Sequence, residues 1–114
     1  MSDQLTFRDL QIQQALWQKK NFGEEHPDKM LQGLAEEFGE LNHAHLKHHQ
    51  KICDMADEDK FREAAADAVG DLVIYLAGYC TSMGFDLQDV VEDTWHGVVS
   101  KRDWKENSTD GKAT

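Results

Sequence analysis

The sequence is poor in several residue types, and each shortage excludes a class of protein. Its two cysteines are too few for a disulfide scaffold or a zinc knuckle, so we expect both to be reduced. One proline and the absence of alternating polar and apolar residues disfavour strands. No apolar run approaches the roughly 18 residues of a membrane span, and the N-terminal residues lack the pattern of a signal peptide. These shortages predict a cytosolic, all-α protein with no membrane partner.

Positive charge is also scarce. Lys and Arg number 12 against 22 Asp and Glu, and the formal net charge is −10. This balance argues against a nucleic-acid partner, because its phosphates would meet a repulsive field. We expect one domain over residues 1–106 and a disordered tail over 107–114. A domain of this length has a modest core, which small helical units often complete by forming oligomers.

Cap and stop residues divide the chain into four predicted helices. Gly23 is an expected stop, Pro27 restarts the chain, and Asp86 is an expected N-cap with Asp89 in the following turn. The four predicted helices cover about 6–20, 28–47 or beyond, 59–81, and 86 to 99 or 104. A polar connector over about 48–59 separates the second helix from the third.

Two of these helices carry the candidate core. Segment 64–80 of the third is apolar nearly all round, which is typical of a helix buried in a bundle or a dimer interface. The first helix has a broad apolar stripe that includes Phe7, Leu10, Ala15, Leu16 and Trp17.

Two clusters of carboxylates interrupt the apolar patterns. Glu36 and Glu37 stand four and three residues before Glu40, so the three share one helical face. Asp67 and Asp71 repeat the four-residue spacing in the third helix. A carboxylate in a low-dielectric interior costs several kcal/mol unless a cation compensates it, and oxygen-only ligands select a hard cation. The clusters therefore predict a Mg²⁺ site, with Mn²⁺ as a substitute; a solvated helix face is the alternative.

The residues around these acids resemble a known family. Residues 36–40 read EEFGE and residues 70–76 read GDLVIYL. They are similar to the EExxE pattern and the GD-L-x-x-Y-L stretch of MazG-like all-α nucleoside triphosphate pyrophosphatases, and the resemblance covers roughly residues 5–104. The family's second half reads ExxD, but the position three residues before Asp71 is Ala68. One family ligand is therefore missing.

Helical geometry offers two replacements for that ligand. At about 100° per residue, Asp67 lies about 40° around the helix from Asp71, and Ala68 lies about 60° away on the other side. Asp67 therefore reaches the same site. Glu63, one turn earlier, is a longer-armed alternative, and both acids stay candidates.

The resemblance implies a fold, a reaction and a set of residue roles. The fold is a four-helix, bundle-like MazG-type domain, completed as a homodimer or a dimer of dimers. The reaction is metal-dependent hydrolysis of a nucleoside or deoxynucleoside triphosphate to the monophosphate and pyrophosphate, which suits house-cleaning of the nucleotide pool. The implied roles are metal ligation by Glu37, Glu40 and Asp71, with Asp67 as the replacement; a second metal or a water-positioning base at Glu36; phosphate contacts at Lys101 and Arg102; and base contacts at Trp17 and Phe22.

A di-iron carboxylate bundle is one alternative. Glu40 and His43 form an E-x-x-H pair, the spacing that such bundles use twice. The nearest second copy, Asp93 with His96, has aspartate in place of glutamate. Iron and charge-transfer colour in the purified protein would favour this interpretation.

Two further alternatives concern the histidines and the absence of activity. His45 and His49 are four residues apart and permit a transition-metal site, but imidazoles near a helix C-terminus are also favoured by the helix dipole.

A helical dimerisation module without activity is the last alternative. It predicts that Asp71→Ala is neutral or stabilising without metal, because the change removes an unpaired charge.

Overall fold

The computed structural model describes residues 4–24 and 26–102, and in that part of the chain it contains four α-helices and no strand. This confirms the predicted all-α class. The predicted tail and the Trp104 end of the last helix lie outside the described residues. The helices are α1 (Phe7–Phe22), α2 (Pro27–Gln50), α3 (Glu58–Met83) and α4 (Leu87–Gly97), and 3₁₀ turns lie at Cys53–Ala56 and Val99–Lys101.

Side-chain caps explain where three of these helices begin. Thr6 Oγ1 accepts a hydrogen bond from Asp9 N (3.0 Å), and the Asp9 carboxylate accepts one from Thr6 N (3.2 Å), which completes a capping box. Asp57 and Asp86 cap α3 and α4 by accepting from the backbone N–H three residues later, at 3.0 and 2.9 Å. The predicted start of the last helix is confirmed.

Two helices end at glycines whose backbone conformations are rarely adopted by residues with a Cβ. Gly23 has a φ of 85° after α1, and Gly84 has a φ of 74° after α3. Both backbone N–H groups donate to carbonyls of the preceding turn. The predicted stop at Gly23 is confirmed.

The length of the connector and the end of the last helix differ from the prediction. α2 continues to Gln50 and α3 begins at Glu58, so the connector is shorter than 48–59. Lysine and histidine side chains in the last turn of α2 suit the negative end of its dipole, which explains the continuation. α4 ends at Gly97, a residue with low helix propensity, before the 3₁₀ turn.

An antiparallel hairpin of α2 and α3 forms the main body of the fold, and ring contacts close its connector end. The His48 ring stacks on Phe61 with centroids 4.0 Å apart, and His45 meets Phe61 edge to face at 5.4 Å. His48 also contacts Met55 O through Nδ1 (2.8 Å) and the Glu58 carboxylate through Nε2 (3.0 Å). His48 therefore packs on Phe61 and ties the connector to α2, and His45, one of the two histidines of the transition-metal alternative, also packs on Phe61.

The core of the chain is small and lies where α1, α3 and α4 meet. Ala77, Cys80 and Leu87 are buried there, and Leu10 packs against them. Among the described residues, no large side chain is fully buried. Cys80 is buried and Cys53 is exposed, and neither forms a disulfide in the chain, as expected.

The predicted burial of α1 and α3 is wrong for the single chain. Leu16 is 68% exposed and Trp17 is 54% exposed, and the residue of α1 that is buried is Gln14. α2 packs on one side of α3 and α1 on part of another, so the remaining apolar face of α3 stays open. The residues of the predicted apolar segment that are buried are Ala68, Ala77, Gly78 and Cys80. Apolar spacing shows which residues share a face but not how many helices cover it.

A membrane-spanning helix needs about 20 predominantly apolar residues in succession. No single one among the described helices is long and apolar enough to cross a membrane. Only α3 taken together with α4 and the following 3₁₀ turn reaches the length and hydropathy of a span, and these two segments are bent by 104° relative to each other.

Candidate active site

A cavity of about 530 Å³ lies between α1, α2 and α3. It brings together four predicted site residues from three helices. These are Trp17 and Phe22 on α1, Glu37 on α2 and Asp71 on α3. Residues that were predicted to contact a base and residues that were predicted to ligate a metal therefore line the same cavity.

A close approach of α2 to α3 sets the geometry beneath this cavity. The ring of Tyr75 lies where a Cβ on Gly33 would stand, so a larger residue at position 33 would displace the ring. The stack of His48 on Phe61 joins the same two helices at their other end. Between these contacts, the antiparallel pairing sets the two acid-bearing stretches side by side.

Glu37 is the predicted ligand that is surrounded most closely by other acids. Its side chain is half-buried. Partial burial and repulsion from the carboxylates of Glu40 and Asp71, with a smaller contribution from Glu36, raise the pKa of Glu37 above its usual range. The acids of α2 and α3 therefore act on one another, as their spacing predicted.

The prediction that these acids enter a low-dielectric interior is wrong for the single chain. Glu36, Glu40, Asp67 and Asp71 are exposed, and Glu37 is half-buried. Among the described residues, α4 packs on α1 and on the end of α3 and does not contact α2, so α4 does not cover the acids. Within the same residues, none of the five acids forms a salt bridge.

The donor chemistry of this acid cluster fits a hard divalent cation. All of its side-chain donors are carboxylate oxygens, and the repulsion acting on Glu37 is what a divalent cation would relieve. In residues 4–24 and 26–102, no three His, Cys, Asp or Glu side chains already stand in an arrangement that holds a metal. Binding of a cation by three of these acids would therefore require them to reorient.

The rest of the cavity is aromatic and carries positive charge. Trp17 and Phe22 meet edge to face, with ring centroids 5.5 Å apart and planes at 65°, and both rings are more than half exposed. Exposed aromatic faces can stack a planar base. Lys29 lines the cavity on α2, eight residues before Glu37, which is about 12 Å along a helix. The cavity thus extends from an aromatic region to an acidic one.

Five predicted site residues do not line this cavity. Two of them, Glu36 and Glu40, nevertheless act on Glu37 through their charges, and the other three are Asp67, Lys101 and Arg102. Asp67 is exposed and is not among the charges that act on Glu37, whereas Ala68 beside it is 6% exposed. Lys101 and Arg102 lie at the end of the second 3₁₀ turn, exposed and outside the cavity lining. Their roles stay predictions.

Six residues that line the cavity were not predicted as site residues, namely Gln14, Gln18, Lys29, Met30, Ile74 and Tyr75. A pattern in α1 indicates the first of them. Gln11, Gln14 and Gln18 stand at i, i+3 and i+7, so they share one helical face. Gln11 contacts the backbone at the start of α4, and Gln14 lines the cavity. The repeat of uncharged polar residues on one face of α1 was the sequence feature that could have indicated these contacts.

The E-x-x-H pairs of the di-iron alternative are not assembled in the described part of the chain. Glu40 lies on α2 and Asp93 on α4, and these two helices do not touch there. A di-iron site needs both pairs to face one another in a bundle. The geometry of the single chain therefore does not favour it.

One family model matches this chain. Residues 2–94 match the family described as phosphoribosyl-ATP pyrophosphohydrolase, which is a relative of the MazG-like all-α pyrophosphohydrolases rather than MazG itself. No curated protein matches the sequence. The match ends before Lys101 and Arg102. Because it covers well over half of an all-helical chain whose acids and aromatic residues share a cavity, the chain belongs to the phosphoribosyl-ATP pyrophosphohydrolase family of hydrolases that act on phosphoanhydride bonds.

Proposed function

We propose that this protein is a metal-dependent pyrophosphohydrolase that cleaves a nucleoside or deoxynucleoside triphosphate to the monophosphate and pyrophosphate. One observation carries the proposal: unpaired acids, Glu37 and Asp71, and an exposed aromatic pair, Trp17 and Phe22, line the same cavity. Carboxylates suit metal-bound phosphates, and aromatic faces suit a base. Family membership supports the reaction type. Such an activity in the cytosol would remove unwanted nucleotides from the pool.

The acid cluster is the proposed metal site. Glu37, Glu40 and Asp71 would hold Mg²⁺, or Mn²⁺ in its place, and the repulsion acting on Glu37 supports this assignment. Asp67 would supply the further ligand, with Glu63 as the alternative. A bound Mg²⁺ would neutralise phosphate charge and lower the pKa of a water molecule that it binds.

The remaining side chains would orient the reactants. Glu36 would position a water molecule for in-line attack on phosphorus and accept its proton, or ligate a second metal. Attack at the α-phosphorus breaks its bond to the bridging oxygen, and pyrophosphate leaves. Attack at the β-phosphorus breaks the other bond to that oxygen, and the nucleoside monophosphate leaves; the products are the same. Lys29 would donate to a phosphate oxygen from within the cavity. Lys101 and Arg102 would hold the phosphate tail only if a second subunit carries them to the site.

A homodimer or a dimer of dimers is the proposed assembly. The support is the open apolar face of α3, where Val69 is 53% exposed and Leu76, seven residues later, is 38% exposed. A second copy would cover this face. Light scattering at micromolar protein should give the mass of a dimer or a tetramer, and a monomer that still hydrolyses nucleotides would contradict the assembly.

The family match favours a second candidate substrate, phosphoribosyl-ATP. The same bond would be cleaved in its triphosphate. This substrate carries an additional ribose phosphate, which needs a further cationic partner. Lys29 is the one Lys or Arg among the described residues that line the cavity, so a simple nucleoside triphosphate is the first candidate.

A substrate panel tests the proposal. Purified protein is incubated with ribonucleoside and deoxyribonucleoside triphosphates and with phosphoribosyl-ATP, each with Mg²⁺ or Mn²⁺, and the products are identified by ³¹P NMR. We expect pyrophosphate and a monophosphate, and no turnover in excess chelator. Orthophosphate as the first product, or turnover without metal, would contradict the proposal, and the preferred substrate separates the two candidates.

A further inference from the structure

Two glutamines on one face of α1 have opposite hydrogen-bonding states. Gln11 uses its whole amide: Oε1 accepts from Leu87 N at 2.7 Å, and Nε2 donates to Phe85 O at 2.8 Å. Gln14, one turn later, is 6% exposed, and its Oε1 is shut off from solvent without a hydrogen-bond partner among the described residues. One amide therefore fastens the fold, and the other does not.

An unsatisfied buried amide lowers stability, so the fold alone gives no reason for a glutamine at position 14. A leucine or methionine of similar size would avoid the cost. The Gln14 side chain lines the cavity that also holds Trp17 and Phe22, so a rotation of the amide presents Oε1 to a ligand bound there. The atom that is buried without a partner is the acceptor Oε1, so the complementary ligand group is a hydrogen-bond donor.

We propose that Gln14 determines base specificity: its Oε1 accepts a hydrogen bond from the exocyclic amine of adenine or cytosine while the base packs against Trp17 and Phe22. The inference rests on the proposed function, because it places the base at the aromatic part of the cavity and the phosphates toward Glu37. Bases with a carbonyl group in place of the amine would leave Oε1 facing an acceptor. The site should therefore favour amino bases over their keto counterparts.

Binding of nucleoside monophosphates in the presence of Mg²⁺ tests this without hydrolysis, because they have no phosphoanhydride bond. AMP and IMP differ by an amine and a carbonyl at one position, and CMP and UMP form a second matched pair. By isothermal titration, we expect AMP to bind about tenfold more tightly than IMP, the effect of one good hydrogen bond. Gln14→Leu should reduce this ratio to about one. Gln13→Leu, an exposed neighbour on the same helix, is the control and should keep it.

Thermal unfolding separates this role from a structural one. Gln14→Leu should raise the Tm, because it removes a buried polar group without a partner; a lower Tm would show that the amide serves the fold and would overturn the proposal. Equal binding of AMP and IMP by the wild type, no binding of either, or a ratio unchanged in Gln14→Leu would overturn it as well. If Gln14→Leu does not fold, Gln14→Met, with a flexible side chain of similar length, replaces it.

The two proposals fail in different ways. If the wild type releases no pyrophosphate from any triphosphate but binds AMP more tightly than IMP, the proposed function is wrong and the role of Gln14 stands. If it releases pyrophosphate without distinguishing ATP from ITP, the proposed function stands and the role of Gln14 is wrong.

Discussion

The two halves of α1 face different surroundings. In the first half, Arg8 forms an ion pair with Asp86 at 3.1 Å, and Gln11 satisfies the backbone of the turn before α4. Beside the second half, Gln14 Oε1 has no partner, and Glu37 meets other carboxylates without a compensating cation. Polar groups that fasten the fold are satisfied within the chain, so the unsatisfied ones indicate where a ligand binds.

Two carboxylates show the same contrast in their electrostatics. Hydrogen bonds from the backbone N–H of Asp89 and from the Arg8 guanidinium lower the pKa of Asp86 below its usual range. Burial and neighbouring acids raise the pKa of Glu37. The surroundings therefore favour the charged form of Asp86 and disfavour that of Glu37.

The largest expected effect is at the acidic part of the cavity. Glu40→Gln and Asp71→Asn should each lower kcat roughly 100-fold or more while the helical circular dichroism stays unchanged, because each removes a charged ligand of the proposed metal. Asp93→Asn, an exposed change on α4, is the control. Full turnover in either variant, or in excess chelator, would remove the basis for the metal site.

The next largest effect is on the free energy of unfolding, and it distinguishes the two halves of α1. Gln11→Leu leaves the Leu87 N–H without its acceptor, and we expect it to cost roughly 1–3 kcal/mol of unfolding free energy. Gln14→Leu, three residues later, should change stability in the opposite direction. Urea unfolding of both variants measures the difference, and a loss of stability in both would show that the two halves do not differ as described.

A smaller effect tests the ligand that replaces the family glutamate. Asp67→Ala should raise the Mg²⁺ concentration for half-maximal activity about tenfold. The double change Asp67→Ala, Ala68→Glu should recover part of the loss, although a glutamate at the buried position 68 should destabilise the metal-free protein.

Glu63→Ala is the matched control for that series. If it raises the Mg²⁺ requirement while Asp67→Ala does not, the ligand is Glu63. If neither change matters, three acids suffice, and water fills the remaining positions around Mg²⁺.

The smallest effect concerns Glu37 in the metal-free protein. Its raised pKa means that its contribution to stability is present at low pH and is lost as the pH rises through the raised value. Glu37→Gln should therefore add roughly 0.2–0.5 kcal/mol at pH 7.5, the size of one like-charge pair on a helix, and nothing at pH 4. Thermal unfolding measures this, and Glu24→Gln is the control. The variant should also lose the stabilisation that Mg²⁺ gives to the wild type.

Much of the fold and part of the site were predictable from particular residues. The starts at Thr6 and Asp86 and the stop at Gly23 depend on contacts within one turn, so they could be read locally. Glu37 and Asp71 were predicted to act together, and the α2–α3 hairpin places both at one cavity. The metal, the substrate and the oligomer stay predictions.

Other features could not be read in this way. Leu16 lies on the predicted apolar stripe of α1 but is 68% exposed in the single chain, and the acids are more exposed than their apolar neighbours indicated. Lys29 was missed because nothing near it in the chain shows that it lies across from Trp17. Each error concerns how distant elements meet.

The sequence by itself therefore determined the four helices and the shared face of the acids, because caps, glycine stops and helical spacing act over one or two turns. Only the tertiary structure decided which faces are covered, which polar atoms lack partners and which distant residues share a cavity. Burial and convergence depend on the packing of α1 against the α2–α3 hairpin. That packing is why Gln14, and not Leu16, is the buried residue of α1.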